Sequence, residues 1–141
     1  PLHRGEADIA GMRIGLQKLQ EGRIVIIAPE GTRSQDGRLQ RAYPGVVVLA
    51  LHSGAPILPV VFYGAENYKD NLRRLRRSDF HLLVGQPFRI DPGKDPVTRA
   101  VREQILDEVM YQMAALLPPR YRGAFSNLEA ATERFLRFDR A

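Results

Sequence analysis

Ile24-Val25-Ile26-Ile27-Ala28-Pro29-Glu30-Gly31-Thr32-Arg33-Ser34 joins an apolar, β-branched run to a short charged loop, and the reading of this junction decides the fold. Ile24 to Ile27 is rich in strand formers and is soon followed by a proline, so it predicts a strand emerging at the edge of a sheet. Behind it, a carboxylate, a glycine, a hydroxyl and a guanidinium fall on the consecutive residues Glu30 to Arg33. That set suits a phosphorylated ligand. A guanidinium grips phosphate oxygens in bidentate fashion, and a residue without Cβ lets backbone N–H groups come close. A polar turn in which Glu30 and Arg33 pair with each other is the plainer alternative.

A second apolar stretch, Gly54-Ala55-Pro56-Ile57-Leu58-Pro59-Val60-Val61-Phe62, follows the loop. It predicts another strand, confined by its two prolines to an edge, a first residue or a bulge. Together, Pro29-Glu30-Gly31-Thr32-Arg33-Ser34 and Pro56-Ile57-Leu58-Pro59-Val60 resemble the third and fourth sequence blocks of the glycerolipid acyltransferases. This is the PlsC-like family that includes the 1-acylglycerol-3-phosphate acyltransferases. Asp36-Gly37, Gly45 with Leu49-Ala50, and Gly64 also fall where such enzymes usually carry similar residues. The resemblance is close from Arg4 to about Gly64 and loose beyond. Two departures stand out. Ala28 occupies a position where the family more often has Phe, and Tyr43-Pro44 precedes Gly45 where a Lys is common, so a cation that would help hold a phosphate is missing there.

The resemblance implies an α/β fold, glycerol-3-phosphate acyltransferase-like, with a mixed central sheet flanked by helices. Residues 1–141 would be a single domain forming the C-terminal portion of an acyltransferase domain, with a core over 4–90, C-terminal helices over 97–139 and the N-terminal part missing. The implied reaction moves a fatty acyl group from an acyl thioester to the hydroxyl of a lysophospholipid, 1-acylglycerol 3-phosphate first among them, in phospholipid biosynthesis. In the family, the His of a His-x4-Asp pair deprotonates the acceptor hydroxyl, and the Asp holds the imidazole in the right tautomer. His3 and Asp8 have that spacing, yet only 21 residues separate Asp8 from Glu30. The family's pair lies a further block upstream, some tens of residues farther from the loop. Arg4-Gly5-Glu6-Ala7-Asp8 instead resembles the end of the second block, which places the catalytic pair upstream of Pro1 and leaves His3 and Asp8 as the alternative. On this expectation the 141 residues alone are inactive. Acceptor binding falls by resemblance to Arg4, Glu30, Gly31, Thr32 and Arg33, with Pro56, Ile57 and Pro59 as a wall beside the site. Glu30 either orders Arg33 or binds the glycerol hydroxyls. No cofactor or metal is implied, since acyl-CoA or acyl carrier protein thioester is a substrate.

Composition narrows the partners. The chain has 141 residues, 44% of them hydrophobic, enough for a sizeable core in one domain. No apolar run approaches the roughly 18 residues of a membrane span. Any attachment to the cytoplasmic face of a membrane is therefore expected to be peripheral, or to come from sequence outside these residues. The absence of cysteine excludes disulfides, thiol nucleophiles and Cys-ligated metals. His3, His52 and His81 share no metal-ligand spacing. The net charge of +5 calls for an acidic partner, and much of the excess sits in Arg73-Arg74-Leu75-Arg76-Arg77. Such a cluster suits anionic lipid headgroups or nucleic-acid phosphates, or is a solvated face. With no helix-turn-helix, zinc finger or RNP-type aromatic pair beside it, an anionic membrane surface is preferred and nucleic acid is not expected. A non-catalytic phosphate- or membrane-binding module is the rival to the enzyme.

Periodicity orders the rest. Ile9, Met12, Leu16 and Leu19 predict a helix over 6–21 ended by Gly22. Val46 to His52 fits helix or strand, and the family favours helix. Residues 64–79 read as a basic irregular or helical segment, Phe80 to Val84 as a strand, and Phe88 to Ile90 as its extension after Pro87. Turn chemistry over Asp91 to Pro96 opens a helix over 97–117 with a stripe of Val101, Ile105, Val109, Met113 and Leu116, stopped by Pro118-Pro119. Met110, Tyr111 and Met113 read as core, or as the lining of an acyl channel. A last helix is predicted over 128–138.

Overall fold

The computed structural model describes residues 9–32, 34, 36–66 and 68–138. Helix α1 (Ile9–Gln20) packs on α2 (Gly45–Ser53). Buried Gly15 lies at this contact, where a Cβ would meet both Leu49 methyl groups at an ordinary packing distance of 3.4 Å. The stretch left open between helix and strand is a helix. It is covered by α1, by the long helix α4 (Arg99–Leu116) and by strand β3 (Phe88–Ile90), so an all-apolar surface such as Val46 to Leu51 finds partners all round. It ends on Gly54, left-handed at φ +64°, whose N–H donates to the Ala50 carbonyl at 2.9 Å.

Strand β1 (Val60–Tyr63) pairs antiparallel with β2 (His81–Val84), Val60 opposite Val84 and Phe62 opposite Leu82. The six-residue helix α3 (Tyr68–Arg73) lies in the connection between them. Below this ladder Ile57 exchanges both backbone hydrogen bonds with Phe88, at 2.7 and 3.0 Å. From the Val60–Val84 pair to the Ile57–Phe88 pair, the second side advances one residue more than the first. That extra residue is a bulge at the non-donating Pro87. Past it, Phe88 keeps the pairing with the β1 side, as a continuation of β2 after Pro87 would, and β3 also pairs antiparallel with β4 (Leu136–Phe138). The protein is thus a small α/β assembly, and among the described residues its strands form two two-stranded antiparallel sheets in place of the expected mixed central sheet.

Two predicted elements differ outright. Ile24 to Ile27 joins no ladder among the described residues; its exposure still alternates with the period of a strand, Ile24 at 92% and Ile26 at 95%, while Val25 and Ile27 are half-buried. A strand is completed by a pairing neighbour, and none of the described segments forms a ladder with this one. The predicted helix over 128–138 is a 3-10 turn at Leu128–Ala130, then extended chain and β4. The reason is Glu108 on α4, 1% exposed. Its carboxylate accepts from the Thr132 hydroxyl at 2.7 Å and from the backbone amides of Arg134 at 3.1 Å and Phe135 at 3.0 Å, amides that a helix would have used internally.

Helix α4 is capped by Thr98, whose hydroxyl accepts from the Val101 amide at 3.3 Å. It serves two cores. Ile105, Leu106 and Val109 join Val47, Phe88, Phe135 and Leu136, while Met110 and Ala114 join Leu39, Val61, Leu117, Tyr121 and Phe125. Met110 is fully buried and Tyr111 and Met113 pack against the second core, as the core reading of that group expected. Removing the Glu108 carboxylate strands three donors, of which the Phe135 amide is buried. Glu108→Ala is expected to cost about 3 kcal/mol in urea unfolding and to speed hydrogen exchange at the Arg134 and Phe135 amides. A loss below about 0.5 kcal/mol would show that the clamp is dispensable.

Candidate functional site

The Glu30 loop is built by turn chemistry and then tied down along its length. The Gly31 amide donates to the Ala28 carbonyl at 3.0 Å, closing a tight turn after Pro29, and Gly31 itself is left-handed at φ +65°. A Cβ at Gly31 would stand 3.1 Å from the Tyr43 ring, so the tyrosine lies against the bare backbone. The Tyr43 amide returns to the Pro29 carbonyl at 2.8 Å. Between these ends, the Gln40 amide donates to Glu30 Oε2 at 2.8 Å. Thr32 is exposed.

Glu30 therefore points inward and closes the loop across ten residues of sequence. Burial pushes its carboxyl above the usual range and the neighbouring Asp36 charge adds to this, while the Gln40 N–H pulls the other way. Asp36 is held low, first by the Arg38 amide and next by the Ser34 hydroxyl. Its Oδ1 accepts from Ser34 Oγ at 2.8 Å and from the Arg38 amide at 3.0 Å, which organises the turn at Gly37. Farther on, buried Leu39 donates to the Tyr121 carbonyl at 2.9 Å and accepts from the Ala124 amide at 3.1 Å.

Of the residues singled out in the sequence, Glu30, Gly31 and Thr32 come together in this turn. His3, Arg4, Asp8 and Arg33 lie outside the described residues. Among the wall residues, Ile57 packs with Ala42 of the loop against the same core, Pro59 is buried with its carbonyl accepting from Gly85 at 2.9 Å, and Pro56 is exposed. The sequence offered no sign of two clefts that border the loop. One of about 520 Å³ is lined by Asp36, Arg38, Gln40 and Gly123. The other, about 310 Å³, is lined by Tyr63, Glu66, Asn71, Arg77, His81 and Arg120. Both gather residues from segments far apart in sequence, which no local pattern reveals. Among the described residues no group of three or more His, Asp or Glu side chains is arranged to hold a metal ion.

Residues 1–63, which include the whole Glu30 turn, match the model of the Acyltransferase family. Over 99 residues the chain is 38% identical to a 1-acyl-sn-glycerol-3-phosphate acyltransferase of Borreliella burgdorferi, covering 67% of this chain and 40% of that protein. The protein of the same name from Bacillus subtilis is 31% identical over 89 residues, 62% of this chain and 42% of its own. The one from Limnanthes douglasii is 42% identical over 59 residues, 41% of this chain and 21% of its own. The chain thus spans about two-fifths of the length of the two bacterial relatives. No solved structure matches it.

The raised Glu30 carboxyl has a consequence for stability. A folded pKa above the unfolded value means the folded chain holds the proton more tightly. That contribution is complete below the unfolded carboxylate value and is lost as pH climbs through the folded one. Glu30→Gln removes the charge and keeps an oxygen for the Gln40 amide. It is expected to raise Tm at pH 7, with the gain vanishing below about pH 4. An equal shift at both pH values would count against the burial of a charged Glu30.

Proposed function

We propose that this chain is the acceptor-binding portion of an acyltransferase that moves a fatty acyl group from a thioester to the hydroxyl of a lysophospholipid, most specifically 1-acylglycerol 3-phosphate. The observation that carries this reading is the family match over residues 1–63, which brackets the Glu30 to Arg33 turn. The names of the relatives supply the acceptor. In this reading Arg33, with Arg4, neutralises the acceptor phosphate, and Gly31 and Thr32 offer backbone and hydroxyl donors. Glu30, already engaged by the Gln40 amide, acts by holding the loop that presents them. Pro56, Ile57 and Pro59 shape the neighbouring wall.

The base is the His of a His-x4-Asp pair. It takes the proton of the acceptor hydroxyl as that oxygen attacks the thioester carbonyl; the thiolate then leaves and is protonated. We place this pair upstream of the block that contains Arg4. The donor is acyl-CoA or acyl carrier protein, and no prosthetic group takes part. The protein works at the cytoplasmic face of the membrane, attached peripherally or through sequence outside these residues. No helix among the described residues is long and apolar enough to cross a membrane.

Arg33→Ala in the complete enzyme is expected to raise the KM for lysophosphatidate by about 10- to 100-fold with a smaller change in kcat, the cost of one charged hydrogen-bonding partner. Wild-type kinetics would remove Arg33 from the site. His3→Ala in the same enzyme is expected to leave kcat within about twofold, whereas removal of a true base costs a factor of roughly 100 to 10,000. A loss of the second kind would make His3 and Asp8 the catalytic pair.

A further inference from the structure

Two helices of this protein end in the same hydrogen-bonding motif, and only one of them uses the residue the motif favours. At the end of α1 the Arg23 amide reaches the Lys18 carbonyl at 2.9 Å and the Gly22 amide reaches Leu19 at 3.0 Å, with Gly22 left-handed at φ +74°. At the end of α3 the Arg76 amide reaches the Asn71 carbonyl at 2.7 Å and the Leu75 amide reaches Leu72 at 3.2 Å. Here the left-handed residue is a leucine, at φ +51°, the one non-glycine with positive φ among the described residues. Left-handed backbone favours glycine because a Cβ crowds the following carbonyl. The leucine gains nothing by packing in exchange, since it is 94% exposed.

The surroundings say what such a side chain meets. Leu72, one turn earlier, is 67% exposed. Arg73, Arg74, Arg76 and Arg77 flank Leu75 in sequence, and all four are exposed. Only Arg73 has a carboxylate, Asp70 at 3.9 Å; the other three form no ion pair among the described residues. The tip lies in the connection between β1 and β2, whose ladder exposes Val60, Phe62, Leu82 and Val84, with the Phe80 ring tilted 30° to that of Phe62 at a centroid distance of 5.8 Å. Nucleic acid would use the arginines and leave the leucines in water. An anionic bilayer uses both: aliphatic side chains enter the acyl region while cations stay at the headgroups.

We infer that the α3 tip, Leu72 and Leu75 within Arg73, Arg74, Arg76 and Arg77, is a wedge that docks the protein on anionic lipid. This deepens the proposed function, and rests on it for the choice of a lipid partner. It names the surface that meets the bilayer from which the acceptor comes.

The test is flotation with vesicles of phosphatidylcholine alone or with phosphatidylglycerol, without acyl donor. Wild-type protein is expected to float with the anionic vesicles. The pair Arg74→Gln and Arg76→Gln is expected to weaken partitioning about 25-fold, roughly fivefold per charge. Leu75→Gly is expected to weaken it on the order of tenfold while raising Tm, since glycine relieves the left-handed strain. These 141 residues contain no tryptophan, so Leu75→Trp is a single reporter within them. Its emission is expected to shift to the blue on anionic vesicles and to be quenched by brominated lipid. The wedge is overturned if that emission stays at its aqueous wavelength on bound protein, if Leu75→Gly floats like wild type, or if the two arginines govern duplex or RNA binding and not flotation. Failed acyl transfer by the complete enzyme, with flotation and quenching as expected, would sink the transferase reading and leave the wedge standing.

Discussion

A carboxylate buried at the middle of α4 is the constraint from which the rest of the structure follows. Glu108 sits among apolar neighbours where an unpaired polar group is costly, so its partners are fixed. The chain supplies them by extending across the helix from Thr132 to Phe135 and delivering two amides and a hydroxyl. This extension sets Phe135 and Leu136 into the core beside Phe88 and brings β4 into register with β3. The Arg134 side chain then turns outward to Asp95 at 2.7 Å, which ties the same strap to the turn before α4.

The candidate loop hangs from the same helix by its other face. Met110 and Ala114 pack with Leu39, Tyr121 and Phe125, and Leu39 is joined by backbone hydrogen bonds to the turns that carry those aromatics. The approach is so close that only glycine fits opposite: a Cβ at Gly123 would lie 2.0 Å from the Leu39 carbonyl oxygen. Ala42, near the loop's end, contacts both cores. The loop is thus anchored at Pro29, Gln40, Leu39 and Ala42, which fixes the turn at Gly31 and leaves Thr32 in solvent.

What the sequence made legible was local. Gly22 and the stripe of Ile105 and Val109 are each written in a few neighbouring residues, and the structure has each where its pattern placed it. The Glu30 turn was legible for the same reason, through Pro29 and Gly31. The failures were long-range. Leu128, Ala131, Phe135 and Phe138 do fall at helical spacing, but an acceptor some twenty-five residues earlier, Glu108, captures their backbone; tertiary contacts override a short, weak helix. Ile24 to Ile27 has a strand's composition and alternation, and a ladder is a property of two segments rather than one. The clefts beside the loop were invisible because their linings come from Asp36 to Gln40, Tyr63 to His81 and Arg120 to Ala124.

The end of α3 is a different kind of departure. Sequence rules and structure agree at Gly22 and Gly54, where a left-handed residue ends a helix and is glycine. At Leu75 the same geometry occurs with a residue that makes it less stable, and no contact within the described residues offsets the difference. Apolar side chains are common on surfaces and need no explanation when they are scattered. One that is placed in unfavourable backbone geometry, nearly wholly exposed and flanked in sequence by four exposed arginines is not scattered in that sense. Local rules are broken where another requirement dominates. Here that requirement acts on the outside of the protein, where neither core nor loop has any use for a leucine.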